Sequence, residues 1–413
     1  MQRLISNIGP LAHLAGSGPI SGHVDDLENY VSEPGMAILI EDHVIVKIGD
    51  SEELVSEFDN AEVVDVNGNA VIPGLVDSHA HLIWSGDRSR EVRWKQQGKS
   101  YREIAELGGG IAATVIPTRN TSDSKLSSIG ISRMREALRN GTTHMEVKSG
   151  YGLDTETELR LLQIGEDISK IDNLPSLDLT WLGAHAAPPG RSIDDYYEEI
   201  MSEQLPAVLD QGIARSADVF CEPGWFSTEQ TEDILKSSKA GGLDMRLHVD
   251  EFEDGGGGEL AADLGVQTAD HAHYTNDDAR AKMHSASVNC GFLPGTPYSM
   301  GEQYPPFSKC MDNEWVWSIA TDFNPNCRTL SLPFIASILV QRNEISPIAT
   351  LAACTRNSAK TTPHPSGLTH GQIAEGGIAN MNILNGPLWE AWCLQPGHSP
   401  FGATIIEGEL ICH

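Results

Sequence analysis

Basic residues are scarce in this 413-residue chain: 28 Lys and Arg stand against 58 Asp and Glu, a formal net charge of −30. Such a polyanion is repelled by nucleic-acid phosphates and by anionic membrane surfaces, which argues against both as partners. The surplus reads as a solvated acidic coat suited to a saline habitat rather than as a docking face for a cationic partner. Paired cysteines are missing too. The seven (Cys221, Cys290, Cys310, Cys327, Cys354, Cys393, Cys412) are scattered, odd in number and never form Cys-x-x-Cys. Neither a disulfide framework nor a thiolate zinc site is therefore expected. Long apolar runs are absent: stretches such as 334–340 are too short to cross a bilayer. Residues 1–7 carry no extended apolar core of a signal peptide, so the expected location is cytoplasmic. There is no internal repeat, and no low-complexity tract beyond the four glycines at 255–258.

What is present is enough hydrophobic residue, 40%, to fill a large core. The length suits one barrel with an accessory domain. Short apolar runs at 36–40, 44–48 and 62–66, the first two joined by the turn Glu41-Asp42-His43, predict strands near the N-terminus. Runs at 380–384 and 403–406 predict more near the other end. Residues 1–72 with 365–413 are therefore expected to form a composite β domain, a small β-sandwich, around a barrel at 73–364. Within 73–364, candidate strands fall at 75–79, 142–148, 177–185, 217–221, 244–248, 267–271, 286–291 and 317–322, with helical patterns in most gaps. That alternation predicts an α/β fold of the (β/α)8 TIM-barrel type. Thr155-x-x-Glu158 and Ser227-x-x-Gln230 read as capping boxes, and Asn140-Gly141 as a helix stop. The gap at 80–141 is too long for one helix and is expected to hold a lid or substrate loop around Gly108-Gly109-Gly110.

In such barrels the active site gathers at the C-terminal strand ends. His79 and His81 end strand one as His-x-His, and alternation puts both imidazoles on one side of the chain. His248 ends strand five, His271 strand six and Asp322 strand eight. A single buried histidine is more often a packed core residue than a ligand. Five chemistry-bearing residues at the same end of one barrel reverse that preference. His79, His81, His248 and Asp322 form a ligand set suited to one divalent ion, Zn²⁺ or Fe²⁺. Such an ion lowers the pKa of its water from about 15.7 toward about 7. Glu251, three residues past His248, is placed to relay a proton from that water to a leaving nitrogen. His271 is placed to stabilise developing negative charge.

The whole ordered series resembles the amidohydrolase superfamily and, within it, the imidazolonepropionase family. The resemblance is carried by Asp77-Ser78-His79-Ala80-His81, Gly86-Asp87-Arg88, Gly108-Gly109-Gly110-Ile111 and Glu146-Val147-Lys148-Ser149-Gly150-Tyr151-Gly152-Leu153. Leu182-Gly183-Ala184-His185-Ala186, Asp218-Val219-Phe220-Cys221-Glu222, His248-Val249-Asp250-Glu251-Phe252, Ala269-Asp270-His271, Leu293-Pro294-Gly295-Thr296 and Ala320-Thr321-Asp322-Phe323-Asn324-Pro325 complete it. It implies hydrolysis of 4-imidazolone-5-propanoate to N-formimidoyl-L-glutamate in histidine degradation, by a homodimer with a small-molecule substrate carrying a carboxylate. It further implies that Arg88 holds that carboxylate and that Tyr151, His185 and Asn324 touch the substrate. A guanidinium suits a carboxylate because it offers two parallel hydrogen bonds. Two departures stand out: Asn326-Cys327 replaces the Gly followed by Ser or Thr of many family members, and Gly376-Gly377-Ile378-Ala379-Asn380-Met381 lacks the usual Ala-Asp pair.

Three other readings share these residues. A deaminase of a purine, pyrimidine or formimidoyl group would keep the same core without needing Arg88. A two-metal hydrolase would need a carbamylated lysine, for which Lys148 is the candidate. A non-catalytic binding protein would be expected to have lost ligands or base, and none is missing.

Overall fold

The computed structural model describes residues 1–24, 26–99 and 101–413, the side chains of Tyr101, Arg102 and Ala105 excepted. Its centre is an eight-stranded parallel sheet in which the strands neighbour one another in chain order. They are Leu75–Ala80, Thr142–Lys148, Ser176–Ala184, Ser216–Cys221, Asp244–Val249, Thr268–His271, Asn289–Phe292 and Trp317–Ile319, numbered here one to eight. Strands two, three and four bury essentially every residue, as expected where a barrel wall is covered on both faces. A bridge between Ala80 and Phe323 brings the eighth strand back to the first. Asp77 reinforces this seam by accepting from the Thr321 amide at 2.9 Å and its hydroxyl at 2.6 Å.

Helices cover the outside because their sequences bury one stripe. In Asp123–Arg139 the buried residues Leu126, Gly130, Met134, Ala137 and Leu138 recur three to four apart. That helix ends at Asn140, and Gly141 follows at φ +84°. A β-carbon at Gly141 would lie 2.3 Å from the Phe401 ring, so only glycine lets the C-terminal strand pack here. Ser227 and Gln230 form the predicted capping box. The box predicted at Thr155 does not form: Asp154 caps that helix through the Thr157 amide, because Glu158 is drawn inward to other donors. The 80–141 gap holds the helices Glu91–Gln96, Tyr101–Glu106 and Ala112–Asn120 before Asp123–Arg139.

Segments from both ends of the chain build two further sheets. One runs Val44–Asp50, Met36–Glu41, Gln2–Ile8, Glu62–Asp65. The other runs Glu409–Cys412, Phe401–Ile406, Met381–Leu384, Val71–Pro73, Leu11–Ala12, Val31–Ser32. Ile5, Ile38, Ile45, Val71, Met381 and Ile405 share one buried cluster between them, the packing of a small sandwich. Among the described residues, no helix is long and apolar enough to cross a membrane.

Candidate active site

The seam that closes the barrel also gathers the histidines. The Asp322 amide donates to the His79 carbonyl at 3.0 Å, and the His81 amide to the Phe323 carbonyl at 2.8 Å. Strand eight stops at Ile319, earlier than its apolar run suggests, so Asp322 stands past the strand end with φ +47°. Asp250 (φ +50°) and His271 (φ +66°) are left-handed too. Strained non-glycine backbone at the ends of strands five, six and eight is a pattern typical of functional sites.

One nitrogen each of His79, His81 and His248 lies within 4.8 Å of the others, and all three residues are buried. Asp322 Oδ1 is 3.6 Å from His79 Nε2 and 3.8 Å from His81 Nε2. His79 Nδ1 donates to Asp270 at 2.7 Å and His248 Nδ1 to Asp218 at 3.0 Å, which leaves each Nε2 as a lone pair. The buried His79 Nε2 has no hydrogen-bond partner. Leaving such an atom unsatisfied costs about 1–3 kcal/mol, a cost that a bound cation removes. Burial, joined by the Lys148 charge at His79 and by His185 at His81, holds both imidazoles well below their usual pKa and so neutral. Neutral imidazoles with an adjacent carboxylate fit a divalent ion.

Beneath them lies a buried ionic layer. Lys148 Nζ donates to Asp218 at 2.6 Å and to Glu146 at 2.8 Å, and Arg246 reaches Glu146 at 3.5 Å. Burial alone would lower the Lys148 pKa, but the Asp218 and Glu146 carboxylates outweigh it and raise it. Burial likewise works to raise the Asp218 carboxyl, while His248 and Lys148 drive it well below the usual range. Lys148 is thus held between two acids at the floor of the site.

Glu251 sits above this floor, 3.4 Å from His271 Nε2. Its place is fixed by Glu222, which accepts from the backbone amides of Glu251, Phe252 and Glu253 at 2.9, 2.9 and 3.1 Å. Burial, then the Asp322 and Glu222 charges, pushes the Glu251 carboxyl well above its normal pKa. Burial pushes His271 well below its own.

A cavity of about 270 Å³ opens over these groups. His81, Arg88, Tyr151, His185, His248, Glu251, His271, Asp322 and Asn324 all line it; His79 lies behind the wall. Glu158 shapes the loop that carries Tyr151, accepting from the Gly150, Gly152 and Leu153 amides at 2.6–2.9 Å. His185 Nδ1 donates to the Gly150 carbonyl at 2.8 Å, so Nε2 faces the cavity as an acceptor. Burial and the neighbouring His248 lower its pKa to about 4. Asn324 is committed to its own loop, donating to the Asp322 carbonyl at 2.9 Å and accepting from the Asn326 and Cys327 amides at 2.7 and 3.1 Å.

Arg88 is buried, and Glu91 accepts from its Nε at 2.7 Å and its Nη2 at 2.9 Å. Asn326, with its amide oxygen toward the guanidinium, accepts from Nη1 and Nη2 at 3.1 Å each. Lys95 and Lys99 join Arg88 on this wall, Lys99 paired with Glu103 at 2.9 Å, so three cations line one side of the cavity in a protein of net charge −30. Sequence reasoning assigns no role to Asp218, Asp270, Glu222, Glu91 or Lys95. Asp218, Glu222 and Asp270 do lie inside the quoted motifs, as charged residues beside buried strand ends, which is the available signal.

The strand-end histidines, the carboxylate-backed floor and the closed parallel barrel define a metal-site hydrolase of the amidohydrolase fold. Solved structures share that fold over the whole chain. Guanine deaminase from C. acetobutylicum with bound guanine superposes with a TM-score of 0.70 at 13% identity, each chain being covered completely. A mutant of the atrazine chlorohydrolase TrzN from Arthrobacter aurescens, complexed with zinc and atraton, gives 0.68 at 14%, covering 100% of this chain and 95% of that one. No family model matches the chain. Curated relatives are much more similar in sequence: the imidazolonepropionase of Haloarcula marismortui is 38% identical over 93% of this chain and 91% of its own. That of Symbiobacterium thermophilum is 36% identical over 99% and 96%. The chain belongs to the imidazolonepropionase family.

Proposed function

We propose that the protein hydrolyses 4-imidazolone-5-propanoate to N-formimidoyl-L-glutamate, a ring opening in histidine degradation. The observation that carries this is one cavity in which a basic wall of Arg88, Lys95 and Lys99 adjoins Glu251 and the histidine cluster. In this reading Arg88 receives the propionate as a charge-assisted pair. Tyr151, His185 and Asn324, all on the cavity wall, contact the ring. One divalent ion, Zn²⁺ or Fe²⁺, would be held by His79, His81, His248 and Asp322. When bound, it supplies Lewis acidity and water activation at neutral pH. Glu251 takes a proton from the attacking water and delivers it to the ring nitrogen as the ring C–N bond breaks. A carboxyl held above its usual range by burial can keep the proton between the two transfers. His271, kept neutral by burial, donates to the oxygen on which charge develops. Water adds to the ring carbonyl carbon, and the products are a carboxylate and a formimidoyl nitrogen. A nucleobase deaminase would share the floor but has no use for the basic wall, since a neutral base carries no carboxylate.

The same reading divides the chain into a composite β domain at 1–72 and 365–413 and a barrel at 73–364. It also has the protein act as a cytoplasmic homodimer that binds neither nucleic acid nor membrane. The test is the ultraviolet disappearance of imidazolonepropionate with metal-loaded protein beside Glu251→Gln. Turnover should fall by roughly 10²–10⁴ in the variant. Inert wild-type protein with its metal bound would overturn the assignment.

A further inference from the structure

Among the described residues, Arg88 is gripped from two sides, and the grips differ in kind. Glu91, 3% exposed, takes the Nε–Nη2 edge with both carboxylate oxygens. One of these oxygens also accepts from the Gly110 amide at 2.8 Å, tying the arginine to the turn at 108–110. Gly109 in that turn has no room for a side chain: a β-carbon there would lie 2.7 Å from Ile104 and 3.0 Å from Glu91 Oε1. Glu91 is therefore a fixed anchor that sets the plane of the guanidinium. The other edge, Nη1–Nη2, meets a neutral oxygen, that of Asn326. This second edge is the one on which an incoming carboxylate would make two parallel bonds.

We propose that Asn326 is a specificity-determining residue: its amide oxygen stands in for a ligand carboxylate on Arg88 and is displaced when a carboxylate-bearing substrate enters. This rests on the reading that Arg88 receives the substrate carboxylate. The exchange is favourable because a neutral acceptor gives way to a charged one, and charge-assisted bonds are roughly twice as strong. It is not free, because the bonds to Asn326 are broken first. Asn326 thereby weakens the binding of acids while leaving neutral ligands unaffected, and Glu91 holds the guanidinium ready throughout. The Asn326 backbone need not move, since its amide stays bonded to Asn324 Oδ1 at 2.7 Å.

The test is calorimetric, with metal-loaded full-length protein and a matched pair of probes, imidazole-4-propionate and its carboxamide. Wild-type protein should prefer the acid. Asn326→Gly and Asn326→Ala should each tighten the acid by about two- to tenfold, the worth of a neutral hydrogen bond, and leave the carboxamide unchanged. Asn326→Asp should close Arg88 with an ion pair and weaken the acid by about tenfold or more. Glu91→Gln, which unfixes the guanidinium, should weaken the acid without changing the carboxamide. Weaker acid binding in both Asn326→Gly and Asn326→Ala would mean that Asn326 holds the ligand itself, and would overturn the proposal. So would no change, or equal changes for the two probes. A wild type that binds the acid no better than the carboxamide removes Arg88 from the carboxylate site and overturns it as well. Binding is read without turnover, so a protein that behaves as expected here yet leaves imidazolonepropionate intact would sink the assigned reaction and not the role of Asn326.

Discussion

Both ends of the barrel hold a cluster of buried histidines, and they are wired differently. At the C-terminal mouth, His79 and His248 are each backed by a buried carboxylate, Asp270 and Asp218. At the opposite end, His144, His364 and His370 pack with ring centroids 4.9–5.5 Å apart. There the shared partner is a hydroxyl: Ser176 Oγ lies 2.8 Å from His144 Nδ1 and 3.0 Å from His364 Nε2. Among the described residues, the acid within ion-pair distance of these three rings is the half-exposed Glu407, 3.5 Å from His364. A carboxylate behind an imidazole raises its basicity and prepares it for a cation. A hydroxyl does neither, so the lower cluster is a packing element that works only while uncharged. Histidine burial alone does not mark a metal site; the group behind the ring does.

The sharpest way to break this contrast is acid. Burial, with His144 also facing Arg215 and His364 facing His43, holds the lower rings down: His144 falls well below its usual pKa, His364 to about 3 and His370 to about 4. Glu407 opposes the shift at His364 but is exposed and screened. Because the folded pKa values are depressed, the unfolded chain binds more protons below pH 6.5. The stability is fully present above 6.5 and is lost as pH falls toward about 4 and then about 3. For His370, the fall from 6.5 to about 4 is worth on the order of 3 kcal/mol. Urea midpoints of metal-free protein should drop between pH 6.5 and 4 more steeply in the wild type than in His370→Gln. Parallel slopes would mean that the lower cluster is not held neutral by its surroundings.

The next contrast is chemical. Asp270→Asn keeps the size of the side chain behind His79 but removes its charge, and should cost about 10–100-fold in metal affinity or turnover. Metal titration followed by kcat on reloaded enzyme reads both effects. Unchanged metal affinity and turnover would deny the carboxylate its part in preparing the ring.

These backing groups also mark where sequence stops being informative. His79 and His81 are legible because strand alternation is local, and His248, His271 and Asp322 because apolar runs end at them. The order of barrel strands follows from the same runs. The pairing of Asp270 with His79 is not legible, since it joins residues 191 positions apart. That of Asp218 with His248 depends on the register of strands four and five, which sets Phe220 rather than Asp218 opposite His248. Strand eight ends early because the seam to strand one, made by Asp77, Thr321 and the Asp322 amide, takes over its backbone. Glu158 reads as a capping partner in the sequence, but its actual donors lie on a loop that folds back over it. The Arg88–Glu91 pair is local, but the bond from Gly110 that makes Glu91 an anchor comes from 19 residues away.

The smallest effect isolates the lower cluster from the mouth altogether. Ser176→Ala removes the hydroxyl between His144 and His364, at the beginning of strand three and far along the barrel wall from Glu251. Both rings stay neutral and buried, so the loss is that of ordinary hydrogen bonds, about 1 kcal/mol in unfolding free energy at pH 7. Metal content, kcat and KM should be those of the wild type, because the side-chain hydrogen bonds of Lys148, Arg246 and Asp218 run to Glu146, to one another, to His248 and to backbone carbonyls, and none runs to Ser176. Denaturation and steady-state kinetics on the same preparation separate the two. A fall in kcat larger than the change in folded fraction would show that the two histidine clusters are coupled through the barrel wall.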